Sequence, residues 1–431
     1  MKVLGIIAEF NPLHKGHEYL LLQAREKCRA DYTIVIMSGN FTQRGEPAIF
    51  DKFIRTRWAL ACGADAVLEL PAVAATASAK DFARTGVSVL AGTGVVSHLA
   101  FGCENASLPL LDALADFLME EPPDFRRALK EGLKSGLSWP AARSQALSRS
   151  FSPPDMVHQD SPQKKKQEDF LSDLLKQPNN ILALEYLMAL KELSGGQCPI
   201  RAVPVQRVHS GYHDESLDTP ICSATALRRG IIERLDPSLW ISQFPETIRA
   251  CVAKHLKTIP PVTVSDFSQA LGYRLMTTDR NDLQSYLDID RELGHRIADY
   301  IEFYTGFEEL CRDLSVRSYT ATRVRRGLLH ILLGIRQEDR KILEREHYAP
   351  YLRLLGFRKE SSDLLSAIKK QSQLPIITRP ARALEQLESP GARRLFNLDA
   401  FACALYDQTL SIKSHSPVIH EFRRKIITFC Q

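Results

Sequence analysis

The sequence predicts an α/β fold: a doubly wound parallel sheet followed by an α-helical domain. Three observations predict it. Short apolar runs alternate with helix-period segments through the first hundred residues. The polar segments between them follow the apolar runs, where strands end. From about Pro237 onward nearly everything reads as helix. Buried strands separated by helices need crossover connections, so they pair in parallel, with helices on both faces. In such sheets a ligand sits outside the carboxyl ends of the strands.

Taken in order, "KVLGIIAEF" reads as a buried strand and His17 to Cys28 as a helix with Tyr19, Leu20, Leu21 and Ala24 on its apolar face. "DYTIVIMSGN" is a second strand, and Ile54 to Cys62 a helix closed by Gly63. "DAVLELP" is a third strand, stopped by Pro71. A helix through Phe82 and Leu90 leads to a fourth strand, "SHLAFGCE". Leu108 to Leu147 is helical in pattern. "SFSPPDMVHQDSPQKKKQED" reads as a loop, and its Lys164–Lys166 run as a solvated charge run. A helix over Asn180–Leu193, a strand-like "IRAVPVQRV" and a polar loop "HSGYHDES" precede "TPICSATALRRG", a helix start capped by Ser223 or Thr225. "TIPPVTVSD" punctuates the chain near 235–265, giving two expected domains, 1–240 and 241–431.

The 431 residues allow two sizeable cores, and 44% hydrophobic with 25% charged content is that of an ordinary globular protein. No uninterrupted apolar stretch can span a bilayer, and Glu9 ends the first apolar run too early for a signal peptide. A cytoplasmic protein with no membrane partner is expected. Nine scattered cysteines, never in a C-x-x-C pair, speak against a disulfide framework or zinc ribbon. A net charge of +5 permits a polyanionic partner without requiring one.

The first strand ends at Asn11-Pro12, because proline cannot donate a ladder hydrogen bond, and hands over to a helix through His14-Lys15-Gly16-His17. Free N–H groups and the positive dipole end at that point favour an anion. Two imidazoles add donors, and Gly16 lets a flat ring lie close to the backbone. His-x-x-His also suits a metal, but no further ligands accompany it, so no metal site is expected. "CSATALRR" supplies a second phosphate signal: Ser223, Thr225 and Arg228 at a helix start. Alone it is a capping motif; after an upstream H-x-G-H it points to a nucleotide triphosphate cradle.

"HKGH" with "SATALR" resembles the nucleotidylyltransferase superfamily, whose members attack the α-phosphate of ATP and release pyrophosphate. The longer segments "GIIAEFNPLHKGHEYLL", "MSGNFTQRGEPAIFDKFIRTRWALACGADAVLELP", "FGCE", "PNNILALEYLMALK", "RVHSGYHDE" and "YTATRVRRGLLHILLGI" narrow the likeness to the bacterial tRNA(Met) cytidine acetate ligase family, from residue 1 to about 360. Cys103 stands where that family usually has Ser, and Ser194–Cys198 is slightly lengthened.

The resemblance implies a nucleotidylyltransferase-like, Rossmann-like domain. It also implies activation of acetate by ATP to acetyl-adenylate, then transfer to N4 of the wobble cytidine of elongator tRNA(Met). ATP is the co-substrate, acetyl-CoA is not used, and Mg2+ accompanying the nucleotide is compatible with these residues. By the same resemblance the ATP site comprises Ile7, Ala8, Glu9, Phe10, Asn11, Pro12, Leu13, His14, Lys15, Gly16, His17, Glu18, Tyr19 and Leu20. Gly102, Asn179 and Arg207 belong to it by the resemblance, and Ser223 and Thr225 join it from the second phosphate signal.

His14, His17 and Arg228 suit phosphate charge, and Arg207 has forked donors for a second contact. Asn40, Gln43 and Arg44 lie on the adjacent loop, where acetate or the cytosine edge is expected. Glu9, Asp51 and Glu104 are all open as a general base. Read as a helix, Arg317–Ile335 buries Val324, Leu328, Ile331, Leu332 and Ile335 and turns Arg323, Arg326 and His330 to another face, with Arg325 nearby. That basic face, beside Tyr319, is the expected tRNA contact. Two rivals stand beside this reading: an adenylyltransferase making a small cofactor, and a non-catalytic RNA-binding protein.

Overall fold

A computed structural model describes residues 1–151, 170–171, 173–194, 200–207 and 220–430. The Lys164–Lys166 run and the "HSGYHDES" loop lie outside these residues.

Eight strands form one sheet in the order β5-β4-β1-β2-β3-β6-β7, with β8 also paired to β6. They are β1 (Val3–Ala8), β2 (Tyr32–Ser38), β3 (Ala66–Leu70), β4 (His98–Cys103), β5 (Arg201–Gln206), β6 (Leu352–Arg358), β7 (Ile376–Ile377) and β8 (Ile427–Phe429). The five strands β1–β5 pair in parallel. Strand β1 is buried along its whole length, as a strand covered on both faces must be. Its residues alternate between two cores: Val3 and Ile7 face one, Leu4, Ile6 and Ala8 the other.

Helices Ala79–Gly92, Leu108–Glu120 and Pro178–Ser194 belong to the first face. Helices Lys15–Cys28, Lys52–Ala61, Ala224–Ile232 and Glu246–Thr258 cover the second. The Lys52–Ala61 helix is capped by Asp51, whose carboxylate accepts from the N–H groups of Phe53 and Ile54, both at 2.8 Å.

The structure departs from the sequence reading beyond residue 350. The expected all-helical region returns to the sheet: β6 pairs antiparallel with β3, and β7 and β8 flank β6. A short apolar run such as Leu352–Arg358 has no period that separates strand from buried helix. The return is fixed by a buried ion cluster. Lys52 Nζ, with no exposed surface, lies 2.7 Å from Glu69 Oε1 on β3 and 2.8 Å from Glu421 Oε1. Arg353 on β6 donates to the same Glu421 oxygen at 2.9 Å. Glu421 is held down to about 2 because Lys52 and Arg353 outweigh its burial.

Candidate active site

The carboxyl ends of β1, β2 and β4 open on one cavity of about 310 Å³. The polypeptide there is fixed from beneath by Arg55, which is fully buried. Its guanidinium donates to the carbonyls of Glu9 (2.6 Å), Ser38 (3.1 Å) and Phe50 (2.9 Å), and to that of Gly39. Only a planar, five-donor group can satisfy this set at once.

His14 is the N-cap of the Lys15–Cys28 helix. Its Nδ1 accepts from the N–H of Gly16 at 3.0 Å, and His17 Nδ1 accepts from the N–H of His14 at 3.3 Å. This reciprocal capping box leaves each neutral ring its proton on Nε2. The rings lie 4.0 Å apart between centroids, and Phe10 stands edge-on to His17 at 5.0 Å. Burial and the nearby Arg207 hold His17 down to about 3; burial holds His14 well below its ordinary value too. Both histidines are therefore neutral donors, not cations, in the free protein. A Cβ on Gly16 would lie 2.8 Å from His14 Cε1, so the ring that needs this glycine is that of His14.

Positive charge comes instead from arginines. Arg228 donates to the carbonyl of Asn11 at 2.9 Å and to Thr225 Oγ1 at 3.2 Å. Arg44 donates to the same hydroxyl at 3.4 Å. Ser223 is the N-cap of the Ala224–Ile232 helix, its Oγ accepting from the N–H of Ala226 at 3.1 Å. Arg207 follows β5 and lines the same cavity. Burial lowers the pKa of Arg44 and Arg207. Glu9 is raised by burial, although its Oε1 accepts from the N–H of Gln43 at 2.7 Å.

Of the residues expected at the nucleotide site, Ile7, Ala8, Glu9, Phe10, Asn11, His14, His17, Leu20, Gly102, Asn179, Arg207, Ser223, Thr225 and Arg228 line this cavity. Pro12, Leu13, Lys15, Gly16, Glu18 and Tyr19 do not. Leu13 is instead a fully buried core residue. Gln43 and Arg44 line the cavity. Asn40 is buried elsewhere, accepting from the N–H of Lys52 at 2.7 Å. Asn179 Nδ2 donates to Glu104 Oε1 at 2.6 Å, and the N–H of Asn180 donates to Oε2 at 3.0 Å. Glu104 thus clamps the end of β4 to the Pro178–Ser194 helix.

An apolar wall of Phe82, Phe101, Ile181, Leu182 and Tyr186 was not named from sequence. Its residues follow ordinary core periodicity, which does not separate a pocket wall from a core. Among the described residues no group of three or more His, Cys, Asp or Glu side chains could hold a metal ion.

The basic helix spans Ala321–Leu333, with Thr320 as N-cap. His330 is fully buried, contrary to the exposed face expected for it: its ring nitrogens lie 2.9 Å from the Leu287 carbonyl oxygen and 3.1 Å from Thr76 Oγ1. Tyr319 is also buried, its hydroxyl donating to Asp290 at 2.8 Å, so its ring is not an open stacking platform. Arg323 pairs with Asp290 at 2.8 Å, Arg326 with Asp288 at 2.8 Å, and Arg325 with Glu46 at 3.0 Å and Glu308 at 3.3 Å. Arg323, at 35% exposure, is the most open of the three.

A histidine pair capping the helix after β1, faced by an arginine of a second helix N-terminus, defines a nucleotidyl transferase with an α/β fold. The family model described as HIGH Nucleotidyl Transferase matches residues 1–418. Within that class the chain belongs to the tRNA(Met) cytidine acetate ligase family. It is 38% identical over 387 residues to the tRNA(Met) cytidine acetate ligase of Halothermothrix orenii, covering 90% of this chain and 89% of that one. It is 33% identical over 431 residues to that of Acetivibrio thermocellus, covering 99% and 100%. The crystal structure of Thermotoga maritima TmcAL bound with alpha-thio ATP is similar throughout, with a TM-score of 0.87, 30% identity and full coverage of both chains. No helix among the described residues is long and apolar enough to cross a membrane.

Proposed function

We propose that this protein is a ligase that joins acetate to N4 of the wobble cytidine of elongator tRNA(Met), with ATP split to AMP and pyrophosphate. The observation that carries the reading is the set of donors around one cavity: two neutral histidines with Nδ1 committed to the backbone, and the guanidinium groups of Arg44, Arg207 and Arg228. Displacement at the α-phosphorus by an acetate oxygen needs positioning and neutralised charge on the departing pyrophosphate. His14 and His17 donate from Nε2 to phosphate oxygens, and Arg228 and Arg207 supply the charge. The apolar wall at Phe101 and Tyr186 suits the nucleotide base. Mg2+ accompanying the triphosphate is compatible with this set of donors.

In the second step cytosine N4 attacks the acetyl carbonyl carbon of the adenylate. The carbon–nitrogen bond forms, the bond to the phosphate oxygen breaks, AMP leaves, and N4 gives up one proton. Residues 1–240 hold ATP, and within 241–431 the Ala321–Leu333 helix meets the tRNA, with Arg323, its most open arginine, towards the phosphates. The test is to incubate the protein with ATP, radiolabelled acetate and total tRNA and to look for N4-acetylcytidine. Labelled product with ATP and acetate, and none with acetyl-CoA alone, is the expected result.

A further inference from the structure

A second cavity, of about 650 Å³, opens beside the first; Gln43, Ala79 and Ile181 line both. The starts of the Ala79–Gly92, Trp139–Ser150 and Ala321–Leu333 helices meet in its wall, beside Ile181, Leu184 and Glu185 of the Pro178–Ser194 helix. Their N-cap residues Ser78, Ser138 and Thr320 all lie in its wall. Four cations and two carboxylates line it, and both carboxylates are already engaged by arginines: Glu185 by Arg143 at 2.7 Å and Asp288 by Arg326 at 2.8 Å. The lining therefore carries more positive than negative charge, although Arg323 also pairs at 2.8 Å with Asp290, which is not part of it.

Trp139 stands in the same wall with 51% of its surface exposed. The Arg143 guanidinium lies 5.0 Å from its ring, and Glu185 fixes that guanidinium. An indole held by a cation yet half open to a roomy, positive cavity is a stacking platform for a base.

We propose that this cavity receives a nucleotide splayed out of a single-stranded RNA loop, with its base stacked on Trp139. This rests on the acetyl-transfer reading above, and it names the subsite that the reading requires. With the nucleotide in the first cavity, the acceptor amine must approach the acyl carbon through a space continuous with it. The second cavity is that space. It falls in the usual size range of ligand pockets, roughly 300–1,000 Å³. An acceptor base must leave its stack to reach a buried centre. Lys80 and Arg323, in the same wall, are the cations for the flanking phosphates.

The experiment separates the two half-reactions. Acetate-dependent ATP–pyrophosphate exchange reports the adenylate step without RNA; acetyl transfer to tRNA(Met) reports the second. Trp139→Ala should leave exchange within twofold of the original and lower transfer by about tenfold or more. Trp139→Phe, which keeps an aromatic face, should recover most of the transfer. Wild-type transfer by Trp139→Ala, or an equal loss of exchange and transfer in both variants, would overturn the pocket assignment. Absence of acetate-dependent exchange in the unmodified protein would remove the acetyl-transfer reading itself, and the pocket with it.

Discussion

Glu46, on the loop beside the first cavity, reaches across to Arg325 on the Ala321–Leu333 helix, its Oε1 accepting from Nη1 at 3.0 Å. The other carboxylate oxygen lies 3.9 Å from Arg228 Nε. One side chain thus touches both an arginine at the nucleotide cavity and one expected to face RNA. The seam is tight: Gly45, at φ +76°, approaches so closely that a Cβ would lie 2.6 Å from the backbone nitrogen of Arg326.

Glu46→Gln should weaken this seam. The pair is partly buried, so loss of the charge should cost about 1–2 kcal/mol, between the surface and buried limits. Urea unfolding should read that cost, and acetyl transfer should fall more than adenylate formation. Gly45→Ala should do more, because a left-handed conformation and a backbone clash both oppose it. An unchanged unfolding midpoint for Gly45→Ala would contradict the contact.

His17→Ala should lower acetate-dependent pyrophosphate exchange by about 10²-fold with the fold intact, since it removes a donor that matters during attack at phosphorus. Circular dichroism and the melting temperature check the fold. Wild-type exchange in the variant would move the phosphate cradle elsewhere.

The same histidine makes stability depend on pH. It is held down to about 3 in the folded protein, from an ordinary value of 6.5. Between these values the unfolded chain binds a proton that the folded chain refuses, so stability rises with pH across the window and is lost as pH falls below 6.5. Urea midpoints at pH 7.5 and 5 should differ, and less so in His17→Gln. Proton NMR should show no His17 titration near 6.5 in the free protein. Triphosphate binding should raise the value, because an anion favours the charged ring.

Arg323 and Arg326 should separate by their surroundings. Arg323→Ala should reduce tRNA affinity and flatten its salt dependence by about one phosphate contact. Arg326, 12% exposed and locked to Asp288, should instead cost stability when replaced. Filter binding at several salt concentrations, beside urea curves, distinguishes these effects. No change in the salt slope for Arg323→Ala would remove it from the RNA surface.

Glu421→Ala should destabilise the protein by about 3–5 kcal/mol, because it leaves the buried cations Lys52 and Arg353 to share the carboxylate of Glu69. Differential scanning calorimetry measures the effect, which should exceed that of any surface carboxylate.

The first four strands and the two phosphate signals were legible because their cues are local: apolar runs, a proline stop, a cap residue, a hydroxyl at fixed spacing. That they meet follows from the rule that parallel sheets place ligands at strand carboxyl ends. What was not legible depends on partners distant in sequence. His330 fits a basic helical face until Thr76 and Leu287 arrive to bury it. Lys52 and Arg55 look like solvated charges on a helix, and become buried anchors only when Glu69, Glu421 and the carbonyls at the ends of β1 and β2 surround them. The cavity wall at Phe101 and Tyr186 obeys the same periodicity as a closed core.

The outer edge of β3 is completed by β6, which lies almost three hundred residues later in the sequence. During synthesis on the ribosome, the amino-terminal part emerges with β3 offering its unpaired N–H and C=O groups to any passing strand. The Lys52–Glu69 pair must also wait for Arg353 and Glu421 before the buried cluster is complete. The nascent chain is therefore exposed to misassembly for most of its translation. A ribosome stalled before residue 350 should hold a nucleotide-binding half with an open sheet, a natural client for a chaperone.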